Sequence, residues 1–165
     1  MERILRATAV FSDEEIGVAL ELFDDAMEDS LVSPPKTSSA DYVFLGAFTP
    51  EDELVGYACY GPTPGTDRTF DLYWIAVEPA MHGAGIGTLL LSEVERRLQG
   101  QHARLLIVET SSRSEYAPTR AFYDRRGYAV AARVRAFYAP GDDRVILTKR
   151  FQTHHSPVGR GASSP

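Results

Sequence analysis

The sequence predicts a mixed α/β fold: a mostly antiparallel central sheet of about seven strands, flanked by helices. Three observations carry this. Short apolar and aromatic runs recur between turn signals, among them "DYVFLGAF", "ELVGYACYG" and "TFDLYWIAV". Two other stretches repeat their apolar residues at helical spacing. Between "TFDLYWIAV" and "HARLLIVETS" stand a glycine-rich loop and a helix, a strand–helix–strand crossover that makes the sheet mixed.

The chain has 165 residues, 44% hydrophobic and 24% charged. It reads as one domain over residues 1–151, large enough for an ordinary core, followed by a polar tail, 152–165, of disordered composition. A net charge of -6 argues against a nucleic-acid partner. No apolar run approaches the roughly 20 residues that span a bilayer, so no membrane partner is expected. "MERILRATAVFSDEE" lacks the apolar region and small-residue cleavage site of a signal peptide. Cys59 is the one cysteine, which excludes a disulfide framework and makes a cytoplasmic setting the expectation. The four histidines and Cys59 show no ligand spacing, so no metal site is expected.

The elements follow in order. A strand before Ser12 is expected first. Ser12-Asp13-Glu14-Glu15 has the form of a capping box, and Ile16, Leu20, Phe23 and Met27 continue it as an amphipathic helix from 12 to about 29. No Lys or Arg stands between Ser12 and Asp29, so the outer face is either a solvated surface or an acidic rim for a cationic substrate. "SLVSPPKTSSAD" is a loop broken by Pro34-Pro35. The strands beginning at Asp41 and Glu53 form a hairpin through "TPED", and "GPTPGTDR" turns the chain into the third strand. The helix from Gly85 to about Gln99 carries an apolar stripe of Leu89, Leu90, Val94 and Leu98. Residues from about Pro118 to Arg126 form a short helix, with Pro suited to its start and Gly127 to its end. "YAVAARVRAFY" and "DRVILTKRF" close the chain as a hairpin around Ala139–Asp143.

The loop "HGAGIG" asks for a reason. Gly83, Gly85 and Gly87 put three glycines in five positions directly before a helix, although glycine costs roughly 0.5–1 kcal/mol against alanine inside regular structure. A P-loop would need G-x-x-x-x-G-K-[ST], and no lysine follows Gly87. A dinucleotide fingerprint would need G-x-G-x-x-G, and the spacing here is two and two. What stands is x-x-G-x-G opening a helix after a strand. That still makes an anion cradle, because a helix start offers unpaired N–H groups and a partial positive charge.

Here the chain resembles the GCN5-related N-acetyltransferases (GNAT), from about Asp41 to Lys149. "LYWIAVEPAMHGAGIGTLLLSEVERRL" is similar to that family's acetyl-CoA motif, a strand, R/Q-x-x-G-x-G/A and a helix. "TRAFYDRRGYAV" is similar to its second motif, a short helix with F-Y-x-x-x-G-[FY]. The resemblance implies a GNAT-like sheet splayed between the strands near 70–78 and 103–111. It also implies acetyl-CoA as cosubstrate. The diphosphate would rest on backbone N–H groups around Gly83, Ala84, Gly85, Ile86, Gly87 and Thr88, and the pantetheine arm would pair with Ile75, Ala76 and Val77. The Val77 N–H would face the thioester oxygen, where negative charge develops. His82 stands where the family has Arg or Gln and can donate to phosphate. The frequent Asn after the Glu109 strand is absent, with "SSRSEYAPT" in its place.

For chemistry, the resemblance assigns Tyr123 as the acid that protonates the leaving thiolate; a phenol holds its proton at neutral pH. The acceptor ammonium must lose a proton, and Glu109 or Asp71 is the candidate base, directly or through water, with Glu109 favoured. Tyr73, Tyr138 and Arg135 are candidates for contacting the acceptor. The implied activity is transfer of acetyl to a primary amine of a small molecule, amino acid or peptide, in a monomer or homodimer. A module that binds acetyl-CoA without transfer is the alternative, and it would need neither Tyr123 nor a carboxylate.

Overall fold

The computed structural model describes residues 1–8, 17–18, 20–21 and 42–152. Helix α1 (Glu2–Thr8) precedes strands β1 (Val43–Phe48), β2 (Leu54–Pro62) and β3 (Thr69–Val77). Helix α2 (Ile86–Gly100), strand β4 (Leu105–Ser111), helix α3 (Ala117–Asp124) and strands β5 (Ala129–Ala139) and β6 (Asp142–Arg150) follow. Residues 17–18 and 20–21 are helical, within the helix expected from 12 to 29. The capping box Ser12–Glu15, the loop around Pro34-Pro35 and residues 153–165 lie outside the described residues.

The described strands form one six-stranded sheet in the order β1-β2-β3-β4-β6-β5. β3 and β4 pair in parallel and every other pair is antiparallel. The mixed sheet with one crossover is thus as expected, with six strands rather than about seven. The difference lies at the N-terminus, where residues 2–8 form a helix instead of part of a strand. Ile4 and Leu5 are both fully buried in a cluster with Tyr57 and Ala76. Neighbours on a strand point to opposite faces, whereas neighbours on a helix can share one. Arg6 Nε also reaches Glu2 Oε1 at 2.9 Å, the one-turn pairing that only a helix provides.

α2 lies on the other sheet face. Its buried residues are Leu90, Leu91, Val94 and Leu98, and their burial stabilises by roughly 1.5–3 kcal/mol each. Leu89, placed on the apolar stripe by sequence, is instead 66% exposed, and Leu91 takes its place. Each helical step turns about 100°, so the row 90, 91, 94, 98 excludes 89. The helix ends with His102 at φ 57 and the Ala103 N–H donating to the Leu98 carbonyl at 2.9 Å. This is a Schellman-type stop, and it turns the chain directly into β4.

Candidate active site

Two strands part company in the middle of the sheet. β2 and β3 shift register at Cys59/Tyr60: Cys59 pairs with Trp74 and Tyr60 with Leu72, leaving Tyr73 as the extra residue of a bulge. A bulge bends its strand and increases the local twist. On its other edge β3 pairs with β4 only from Thr69↔Leu105 to Leu72↔Val108. β3 nevertheless runs on to Val77 and β4 to Ser111. The expected splay is therefore present, and it opens at the bulge. A cleft of about 690 Å³ lies there, lined by β3 from Leu72 to Val77, by Val108, Glu109 and Thr110, and by the start of α2 and residues of α3.

Beyond Leu72 the edge of β3 that faces the cleft has no strand partner. The Glu78 N–H donates to the Val55 carbonyl on β2 at 2.8 Å. Backbone polar groups alternate between the two edges of a strand, so those of Ala76 also face β2, while those of Ile75 and Val77 face the cleft. The Val77 carbonyl receives His82 Nε2 at 3.0 Å, which fixes that nitrogen as the donor. His82 thereby ties the loop to the end of β3.

The loop glycines divide into two kinds. Gly83 and Gly85 adopt φ of 84° and 83°, and no atom lies within 4 Å of where a Cβ would stand. Backbone conformation, not crowding, requires glycine there. Gly87 has no such φ, and a Cβ there would make ordinary contacts with Phe122 and Val77 at 3.5–3.7 Å. Within the chain itself, alanine would fit at 87. Among the described residues, no backbone carbonyl accepts from the N–H groups of Gly83, Gly85, Ile86, Gly87 or Thr88, whereas the Leu89 N–H is taken by Gly85. The Ala84 N–H donates to the Met81 carbonyl at 3.3 Å, and Ala84 does not line the cleft. The first turn of α2 holds no acidic side chain. This run of free donors at a helix start fits a phosphate-bearing ligand.

Tyr123, on α3, lines the cleft and is 2% exposed. Its ring meets Phe122 and Tyr128 edge-on, each at 5.2 Å. Burial raises its pKa well above the ordinary phenol value, so the hydroxyl keeps its proton. Glu109 also lines the cleft, and its carboxylate receives Arg144 Nη2 from β6. Asp71 stands outside the lining, where Thr63 Oγ1 donates to it at 2.6 Å. Burial is the main cause raising the Asp71 pKa, with the Glu109 charge adding to it and Thr63 and Arg144 opposing.

Of the three candidate acceptor contacts, Tyr73 lines the cleft and packs edge-on to Tyr42 at 5.0 Å. Tyr138 and Arg135 lie outside the lining, on the stretch of β5 where pairing with β6 is interrupted between Val134 and Ala139. The arrangement adds residues that the sequence did not single out. Arg126 lines the cleft and donates to Thr88 Oγ1. Thr110 also lines it, with a buried Oγ1 that has no partner among the described residues. Among the described residues no group of three or more His, Cys, Asp and Glu could hold a metal ion. None of their helices is long and apolar enough to cross a membrane.

Residues 8–128 match the model of the acetyltransferase (GNAT) family. The chain belongs to the GNAT acetyltransferase family. A putative GNAT acetyltransferase from Desulfovibrio desulfuricans is similar at 42% identity over 90% of this chain and 88% of that one, with a TM-score of 0.79. An aminoglycoside 6'-N-acetyltransferase complexed with coenzyme A shares the GNAT fold at 18% identity, over 90% and 87% of the two chains, with a TM-score of 0.67. The ribosomal-protein-S18-alanine N-acetyltransferase from Escherichia coli does so at 17% identity, over 82% and 92%, with a TM-score of 0.63. None of the curated proteins matches the chain. As a GNAT member the protein is an acyltransferase.

Proposed function

We propose that this protein transfers the acetyl group of acetyl-CoA to a primary amine of a small molecule, amino acid or peptide, by direct attack within a ternary complex. One observation carries the reading: the free edge of β3, the free N–H groups of α2 and the buried Tyr123 phenol all belong to a single cleft. Acetyl-CoA supplies an activated acyl thioester. Coenzyme A in the aminoglycoside 6'-N-acetyltransferase, and acetyl-CoA in a putative streptothricin acetyltransferase from Bacillus anthracis of similar fold, support that donor.

Each residue then has a task. The N–H groups at the start of α2 hold the diphosphate, with Gly83 and Gly85 providing the turn that exposes them. Ile75 and the Val77 N–H offer unpaired backbone groups to the pantetheine amides. The Val77 N–H donates to the thioester oxygen as negative charge builds there. One proton of the acceptor ammonium passes to Glu109 through water, with half-buried Asp71 behind it. The neutral nitrogen then forms its bond to the carbonyl carbon, the C–S bond breaks, the thiolate takes the Tyr123 proton, and the second proton that the nitrogen sheds on becoming an amide returns to Tyr123. Tyr73 forms part of the acceptor wall.

Tyr123→Phe is the decisive variant. It is expected to lower kcat about 100-fold, the ordinary worth of a positioned acid, while thermal-shift titration returns the wild-type affinity for acetyl-CoA. A module that binds without transfer would show no turnover in the wild type and nothing for the variant to lose. Absence of any acetyl-CoA-dependent shift in the wild type would remove the donor assignment itself.

A further inference from the structure

We propose that Arg126, from the turn after α3, is the cation that clamps the cofactor's diphosphate against the start of α2. The inference rests on the acetyl-CoA reading above and adds to it a residue from a second element. Arg126 lines the cleft. Its Nη2 donates to Thr88 Oγ1 on the first turn of α2. Its Nη1 donates to the Phe122 carbonyl at 2.8 Å, and its guanidinium lies 3.7 Å over the Phe122 ring. The side chain is thus fixed by α3 on one side and by α2 on the other.

That placement is costly without an anion. A helix start carries a partial positive charge, and a cation beside it is repelled. The first turn of α2 has no acidic residue to offset the guanidinium, and no salt bridge to Arg126 forms among the described residues. Arg126 Nε is buried and lacks a partner among them. A guanidinium held in place against a second positive centre, with five free N–H groups beside it, is the arrangement that a bridging diphosphate satisfies. His82, the loop's own basic residue, has its donor nitrogen engaged by the Val77 carbonyl. The charge therefore comes from a residue 38 positions beyond Thr88 in sequence. A guanidinium already immobilised loses little freedom when a ligand arrives.

The test is calorimetric titration of wild type, Arg126→Gln and Arg126→Lys with CoA, dephospho-CoA and pantetheine. Thermal denaturation of each variant serves as the check on folding. Charge-assisted hydrogen bonds of this kind correspond to roughly a tenfold to a hundredfold change in affinity. Arg126→Gln is expected to weaken CoA and dephospho-CoA alike by that factor and to leave pantetheine unchanged, with Arg126→Lys recovering part of the loss. Unaltered CoA affinity in a folded Arg126→Gln would overturn the proposal. A loss seen with CoA but not with dephospho-CoA would overturn it too, placing Arg126 on the 3'-phosphate. If wild type bound none of the three, the acetyl-CoA reading would fall, and this proposal with it.

Discussion

A carboxylate is useful as a base only if it can reach the proton, and the two candidate acids differ in reach. Glu109 lines the cleft but is engaged by Arg144; Asp71 has the raised pKa but stands outside the lining, bonded by Thr63. Reach decides first, since proton transfer needs hydrogen-bond distance directly or through one water. Glu109→Gln is therefore expected to lower kcat about 100-fold and Asp71→Asn by less than about tenfold, read from steady-state rates with a fixed amine. The opposite order would make Asp71 the base. At this scale the sequence was informative wherever one residue's chemistry is intrinsic: a phenol at 123, acids at 71 and 109. It could not reveal that Arg144 binds one acid and not the other, because that depends on Ser111↔Arg144 and Glu109↔Ile146 being alternate pairs across β4 and β6, which share a sheet face.

At the scale of elements, the loop before α2 separates the needs of the backbone from the needs of a ligand. Gly85 caps α2 in the left-handed region, where a side chain costs roughly 1–2 kcal/mol. Gly85→Ala is accordingly expected to lower stability to chemical denaturation by about that amount. Gly87 lies inside the helix with ordinary clearance, so Gly87→Ala is expected to leave stability unchanged or raise it by about 0.5–1 kcal/mol. It should nonetheless weaken CoA binding, because the methyl group intrudes on the cradle. If CoA affinity survived Gly87→Ala intact, the diphosphate would lie elsewhere. The strands were legible from their apolar runs, and α2 from its period. α1 was not, because seven residues are too few for a period to be told from a strand, and burial of adjacent Ile4 and Leu5 decides the matter only once a sheet face is there to cover them.

For the molecule as a whole, burial of ionisable groups sets the alkaline limit. The Cys59 thiol, 0% exposed within β2, is pushed up to about 12 from 9.0 by desolvation. Its folded pKa lies above its unfolded one, so its contribution to stability is complete below pH 9.0 and is lost as pH rises through about 12. Buried Tyr57, Tyr123 and Tyr128 shift in the same direction and add to the loss above pH 10.0. The denaturation midpoint is expected to fall from pH 9 upward, less steeply in Cys59→Ala, with the tyrosinate absorbance of these three phenols, out of eight tyrosines, appearing only as the chain unfolds. Tyrosinate absorbance from all eight before unfolding would contradict the burial of these phenols. The sequence alone determined what a short stretch of backbone can impose: two glycines in the left-handed region, strand-forming runs, the α2 period, and two motifs in the order of an acetyltransferase. Tertiary structure alone decided the helical N-terminus, the opening of the sheet at the Tyr73 bulge, the pairing of Glu109 with Arg144 and the meeting of Arg126 with Thr88. Local rules act through a residue's own φ, shape and period, whereas these features depend on which distant segments the assembled sheet brings together.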